Sequence, residues 1–206
     1  MESKDILISL VEEIQNAYTR IEELWTEYAE SNNLALFNQK SVRIRECVKN
    51  QSYLELITEY LVFLTSNKID QGYHRVGEKY VVDSRIKARN SVEEKMDDYV
   101  KTGQDFNVNK CLNDLFGIRI ILDDIFSHEE ILDIFKDNNC LKCIDSSKPK
   151  DTNPKVYTAT HIYFKGMGNT HFQWELQIWM ARDEVANQKS HKGHRFIYTK
   201  WEKVRE

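Results

Sequence analysis

Apolar residues near the start of the chain recur every three or four positions. Leu7, Leu10, Val11, Ile14, Ala17, Tyr18, Ile21, Leu24, Trp25 and Tyr28 share one stripe. That spacing predicts an amphipathic helix over 5–30 with the stripe in the core, ended by Ser31-Asn32-Asn33. A second helical stretch is expected over about 34–65, with Tyr53, Leu54, Leu56, Ile57, Tyr60, Leu61 and Leu64 on its stripe and a break near Asn50. From about residue 79 the pattern alternates between strand and helix. Residues 80–87 alternate like a strand, and 91–101 read as a charged helix with Val92, Met96, Tyr99 and Val100 inward. Residues 117–122 form a near-continuous apolar strand, 128–136 a helix, and 141–144 a short strand. The polar stretch 145–155 holds both prolines and reads as a loop, and a long helix is expected from about 182 to 204.

The most informative pattern lies between those last two segments. Residues 157–164 and 174–179 mix β-branched and aromatic residues with polar ones, and the connection Lys165-Gly166-Met167-Gly168-Asn169-Thr170 carries two glycines. This predicts a hairpin. Side chains of equal parity share a face of a strand, so Glu175 and Gln177 lie together, as do Tyr157, Ala159 and His161. A carboxylate, an amide, an imidazole and an aromatic ring then converge on one sheet surface. The whole pattern predicts an α/β (α+β) protein: a mixed, about five-stranded sheet flanked by helices, with N-terminal helices and a long C-terminal helix.

Composition narrows the class. With 206 residues, 41% hydrophobic and 30% charged, the chain can bury one sizeable core. No apolar run approaches 18 residues and the first residues lack a signal-peptide pattern, so a cytoplasmic protein with no membrane partner is expected. Cys140 and Cys143 form a CxxC, but no second ligand pair of matching spacing exists, so the four cysteines read as reduced thiols. The net charge of −4 is unevenly spread. Residues 1–31 carry eight acids and two bases, whereas residues 187–206 carry six bases and two acids. A polyanion is expected at the C-terminal end, although a solvated helix face has the same composition.

Candidate chemistry follows from these placements. Arg85, Lys87, Arg89 and Lys95 gather where a strand hands over to a helix, a suitable place for a polyphosphate. Asp114 precedes a buried strand that carries Arg119, and an unpaired buried charge is costly. Asp114, with Glu175 as a second carboxylate, suits Mg²⁺, which takes one or two carboxylates plus phosphate oxygens.

At these residues the chain resembles the RelA/SpoT synthetase family, ATP-dependent 3′-pyrophosphokinases that make (p)ppGpp. The resemblance covers about residues 79–195. Arg85-Ile-Lys87, Ser91 and Lys95 resemble the family's ATP-binding motif, and Asp114 with Gly117-Ile-Arg119-Ile its Mg²⁺-binding strand. Tyr157 and His161 resemble its acceptor motif, and Glu175-Leu-Gln177-Ile its catalytic strand. The resemblance implies a nucleotidyltransferase-like synthetase fold, with residues 1–78 as a helical region packed on a 79–206 pyrophosphokinase domain, the two forming one globular unit. It implies that Arg85 and Arg119 sandwich the adenine of ATP, that Ser91 belongs to the same ATP site, and that Lys87 and Lys95 hold the phosphates. It further implies that Asp114 and Glu175 bind Mg²⁺ and that Glu175 takes the proton from a ribose 3′-OH. Tyr157 is expected to stack on the acceptor base, and His161 and Gln177 to orient the acceptor. A hydrolase activity is not expected, because the chain lacks an HD-type metal dyad and 78 residues are too few for the family's hydrolase domain.

Departures from the family pattern bear on the acceptor. Val156, Thr158 and Ala159 stand where the family has glycine, a basic residue and serine, and Trp179 and Met180 stand where it has arginine and threonine. Contacts expected for the phosphates of GDP or GTP are therefore missing. The run 174–179, Asn187, Ser190-His191 and the basic tail look like the toxic small synthetases of toxin–antitoxin and phage-defence systems, several of which pyrophosphorylate the 3′-CCA end of tRNA. The expected acceptor is that terminal adenosine. Lys189, His191, Lys192, Arg195 and Lys200 would meet the acceptor-stem phosphates, and a protein antitoxin would be a partner. A synthetase of (p)ppGpp or ppApp from free nucleotides is the alternative, and an inactive nucleotide-binding module a third reading. Self-association is left open.

Overall fold

The computed structural model describes residues 3–69, 75–76, 80–123, 126–136, 144–153, 157–166 and 168–189. Helix α1 (Ser3–Ser31) carries the predicted stripe inward: Leu7, Val11, Tyr18, Trp25 and Ala29 are fully buried. It ends where Asn33 takes a left-handed φ of 53° and Leu34 N donates to Ala29 O at 2.8 Å. Residues 34–43 are not helical, contrary to the pattern-based expectation. Asn38 turns the chain there: its Oδ1 accepts from Lys40 N, and its carbonyl accepts from Ser41 N and Val42 N. A short helix α2 (Ile44–Cys47) follows, then α3 (Gln51–Ser66). Asn50, the expected break, is the cap of α3, its side chain accepting from Ser52 N at 3.0 Å and Tyr53 N at 3.4 Å.

The strands are β1 (Arg75–Val76), β2 (Tyr80–Ile86), β3 (Phe116–Leu122), β4 (Ile144–Asn153), β5 (Tyr157–Phe164) and β6 (Trp174–Met180). Between them lie α4 (Arg89–Lys101), α5 (Val108–Cys111) and α6 (His128–Lys136), and a 3-10 turn (Ala181–Asp183) leads into helical residues 184–189. The sheet is mixed, with order β1-β2-β3-β6-β5-β4. Only the β3–β6 pairing is parallel among these strands. Six strands are described where about five were expected: β1 was not anticipated, and the strand expected over 141–144 is instead β4, made of residues read as a loop. Among the described strands it pairs only with β5, and an edge position tolerates Pro149. The CxxC and residues 190–206, including most of the expected C-terminal helix, lie outside the described residues.

Parity divides the sheet. On β3, Phe116, Ile118, Ile120 and Leu122 are buried while Gly117, Arg119 and Ile121 are half-buried. The first set, with Trp174, Leu176 and Ile178 of β6 and Ile162 and Phe164 of β5, joins the stripes of α1 and α3 in one core. Aromatic rings fill the junction: Trp174 meets Tyr18 edge-on at 5.2 Å and Phe116 at 4.4 Å, and Trp25 meets Tyr60 at 5.1 Å. Polar bonds fix it. Trp174 Nε1 donates to Tyr60 Oη at 3.0 Å, Tyr60 Oη to Glu22 Oε1 at 3.2 Å, and Tyr18 Oη to the Phe172 carbonyl at 3.1 Å. Burial pushes the Glu22 carboxyl well above its usual range, with the Tyr60 bond working the other way. The helices thus leave the opposite sheet face for chemistry. Among the described residues no helix is long and apolar enough to cross a membrane.

Candidate active site

Register places the predicted residues in rows on that opposite face. Tyr163, Glu175, Gly117 and Arg85 form one row across β5, β6, β3 and β2, and His161, Gln177, Arg119 and Asp83 form the next. Ile121 and Trp179 begin a third. Gly117 matters by its lack of a side chain: a Cβ there would meet only Arg85 Cγ, at 4.0 Å, so open space separates Arg85 from Glu175.

At the β2 and α4 end, Lys87 follows the strand, its N–H tied to Leu115 O at 2.8 Å. Its Nζ lies 2.5 Å from Asp114 Oδ2, and Lys95 Nζ lies 3.0 Å from Asp114 Oδ1. One carboxylate therefore bridges two ammonium groups. Burial works against the Asp114 charge, but Lys95 and Lys87 outweigh it and hold the carboxyl far below its usual range. Burial and the neighbouring charge of Lys95 draw Lys87 down despite Asp114, whereas for Lys95 the attraction of Asp114 exceeds the cost of burial and raises it. Ser91 lies one helical turn before Lys95 on α4.

At the β5 and β6 end a hydrogen-bonded chain runs through buried groups. His161 Nδ1 donates to Glu175 Oε1 at 2.7 Å, and Gln177 Nε2 donates to Glu175 Oε2 at 2.8 Å. The carboxylate only accepts, so Nδ1 carries a hydrogen, and in the neutral ring Tyr157 Oη donates to His161 Nε2 at 2.8 Å. Burial disfavours the Glu175 charge, but the His161 and Gln177 bonds hold its pKa down to about 2, while the Asp114 charge opposes its ionisation. Arg119 Nη2 donates to Gln177 Oε1 at 3.3 Å and so joins the chain to β3.

The structure thus brings Lys87, Lys95 and Asp114 together, and Arg119, Gln177, Glu175, His161 and Tyr157 together, on one surface. One expectation needs correction. Tyr157 is only 8% exposed, packed with Ala159 and Trp179, and enters the site through its hydroxyl rather than through a bare ring face. Trp174 and Trp179 lie on opposite faces of an interior strand and both are fully buried. Of the residues assigned to RNA, Lys189 is exposed, and His191, Lys192, Arg195 and Lys200 lie outside the described residues.

Tyr163 escaped the sequence reading, which named Asn187 and Trp179 but gave neither a contact in the site. Tyr163 is the register partner of Glu175, and burial together with that carboxylate raises its hydroxyl; its parity with Tyr157 and His161 was the available signal. Asn187 accepts from Thr158 N at 2.9 Å and donates to Thr158 O at 2.8 Å, pairing with β5 as a neighbouring strand would. Trp179 carries the Arg119 guanidinium 3.7 Å above its ring centroid. The described cysteines add no nucleophile: burial pushes Cys47 up to about 12 and Cys111 up to about 11.

Cations and carboxylates gathered on one sheet face define a surface for a polyanionic substrate. The sequence profile described as "Region found in RelA / SpoT proteins" matches residues 84–202, more than half of the chain. The chain belongs to the RelA/SpoT family. No curated protein matches the sequence. Among solved structures it is similar to small alarmone synthetase 2 from Bacillus subtilis, with 18% identity, a TM-score of 0.41, and 71% of this chain and 80% of that chain covered. Small alarmone synthetase 1 from the same organism gives 16% identity, a TM-score of 0.40, and 73% and 79% coverage. The same protein bound to its product pppGpp gives 14%, 0.39, 71% and 77%.

Proposed function

We propose that this chain is an ATP-dependent pyrophosphokinase whose acceptor is the ribose 3′-OH of the terminal adenosine of tRNA, so that it blocks aminoacylation as the toxin of a toxin–antitoxin pair. The observation that carries the acceptor assignment is the buried apolar cluster of Tyr157, Ala159 and Trp179. A free guanosine diphosphate would need cationic or polar partners on that side of the site. A tRNA end brings no 5′-diphosphate, and its stem phosphates would fall to Lys189 and the basic residues beyond it.

In this reading the 3′-oxygen attacks the β-phosphorus of ATP. The bond from that phosphorus to the oxygen shared with the α-phosphate breaks, and AMP leaves with that oxygen. Pyrophosphate stays on the acceptor. The hydroxyl proton passes to the Glu175–His161 pair, Glu175 taking it and His161 holding the carboxylate in place. Lys87 and Lys95 meet the phosphates, and Arg85 and Arg119 flank the base. Such a reaction depends on positioning and charge neutralisation.

Mg²⁺ is tested by the donor set. Each oxygen of Asp114 and Glu175 already accepts one hydrogen bond. A carboxylate offers about four acceptor sites, so each keeps capacity for an ion. The Asp114 charge opposes the ionisation of Glu175, and a bound cation would relieve that repulsion. Among the described residues no cluster of three or more potential ligands exists, so phosphate and water would have to supply the remaining ligands. Asp114 and Glu175 would hold it, and it would neutralise phosphate charge.

The test is transfer of label from ATP carrying it on the terminal phosphates, with Mg²⁺ and either deacylated tRNA, GDP or GTP. Label on tRNA that disappears when the terminal adenosine is removed supports the reading. Label only on guanosine nucleotides sinks the tRNA acceptor, and label on neither sinks the enzyme.

A further inference from the structure

Arg119 is held in an unusual way for a residue expected to receive a base. Its Cζ lies 3.7 Å from the Trp179 ring centroid, so the guanidinium covers the indole face. Trp179 itself is fully buried. At its edge stands Tyr157, with ring centroids 6.1 Å apart and planes at 87°. One Arg119 amine is tied to Gln177, while its Nε is buried without a hydrogen-bond partner among the described residues. Hydrogen bonding therefore restrains one end of the group, and the indole face sets its plane. A guanidinium has two faces. Trp179 covers one, and the open space over Gly117 lies on the same sheet face, between Arg85 and Glu175.

We propose that Trp179 is a positioning residue for the donor nucleotide: its ring fixes the plane of Arg119, whose other face receives the purine of ATP. This rests on the pyrophosphokinase reading. It assigns a gain to a position whose change otherwise counts only as a lost phosphate contact. A preset guanidinium plane removes the ordering cost that a free arginine side chain would bear on binding. The same ring touches Tyr157 on the acceptor side, so one side chain sets the spacing between the two halves of the site.

The experiment is equilibrium binding of a non-hydrolysable ATP analogue to the full chain and its variants, with acceptor KM measured in parallel. Trp179→Met keeps the apolar bulk and removes the ring face. It is expected to weaken analogue binding about tenfold, by more than it raises acceptor KM. Trp179→Phe keeps a ring and is expected to stay within about threefold of wild type. Because Trp179 acts through Arg119, the double variant with Arg119→Ala should bind no worse than Arg119→Ala alone. Trp179→Met binding as wild type, or losses that multiply in the double variant, would overturn the proposal while leaving the proposed function standing. If Trp179→Met does not fold, the comparison of Trp179→Phe with and without Arg119→Ala decides the same question. A wild-type protein that does not bind the analogue at all overturns both readings.

Discussion

His161 and Glu175 meet through a 2.7 Å hydrogen bond between two antiparallel strands, each almost wholly buried. The bond leaves His161 Nε2 for the Tyr157 hydroxyl, so acid, imidazole and phenol act as one unit. Glu175→Ala is expected to lower pyrophosphate transfer by about 10²–10⁴-fold, the usual share of a positioned base. His161→Ala should lower it less, because the carboxylate remains. Single-turnover transfer rates check both, and full activity in Glu175→Ala would refute the assignment.

Asp114 accepts from the side-chain ammonium groups of both Lys87 and Lys95. Asp114→Asn leaves two mostly buried ammonium groups facing each other, and breaking a buried pair in this way costs about 3–5 kcal/mol. Urea unfolding at neutral pH measures it. Replacing Lys87 by Met in the same variant should recover part of the loss, and no recovery would mean the damage lies elsewhere.

Acid should weaken the fold through the same two carboxylates. Asp114 and Glu175 have ordinary values of 3.8 and 4.5, and both are held lower in the folded chain, Glu175 to about 2. The unfolded chain therefore takes up these protons first. Their stabilisation is complete above roughly pH 5 and is lost as the pH falls towards the folded values. Unfolding free energy measured from pH 7 to pH 3 should fall, with a shallower slope in Asp114→Asn. An unchanged slope in that variant would count against the coupling.

Asn187 pairs with both backbone groups of Thr158, next to Tyr157. Asn187→Ala leaves a half-buried N–H unpaired, at a cost of about 1–3 kcal/mol. Amide exchange at Thr158 should accelerate more than at Ile162 in the middle of β5. Equal protection at both sites would show that the clamp does not hold the strand end.

Gly166 lies against His171: a Cβ there would come within 2.6 Å of His171 Nδ1 and 2.7 Å of its Cβ. His171 Nε2 in turn lies 3.2 Å from Thr26 Oγ1 on α1. Gly166→Ala should cost about 1–3 kcal/mol by overpacking. The double variant with His171→Ala should recover much of this, since the obstructing ring is gone. A double variant less stable than Gly166→Ala would disprove the clash.

How much of this was legible depends on range. The α1 stripe and the alternation of β3 were readable because each is a local period set by burial. Residues 34–43 misled because Leu34, Leu36 and Phe37 mimic a helical stripe, while Asn38 imposes a turn by bonding its own neighbours. β4 misled because its residues are polar and include a proline, and an edge strand needs neither apolar alternation nor every N–H. Within the site, parity gave the shared face of Glu175 and Gln177. The stack of Arg119 on Trp179 was beyond reach, because it depends on which strand lies beside β3 and in what register.

The parallel pairing of β3 with β6 has a consequence for synthesis. Arg119 and Gln177 are 58 positions apart, and β6 is the last of the described strands to be made although it enters the middle of the sheet. Every strand before it can exist on the ribosome without the carboxylate, the amide or the indole that complete the surface. A chain cut short before Trp174 lacks Glu175, Gln177 and Trp179 together, so the surface is incomplete until β6 has been made.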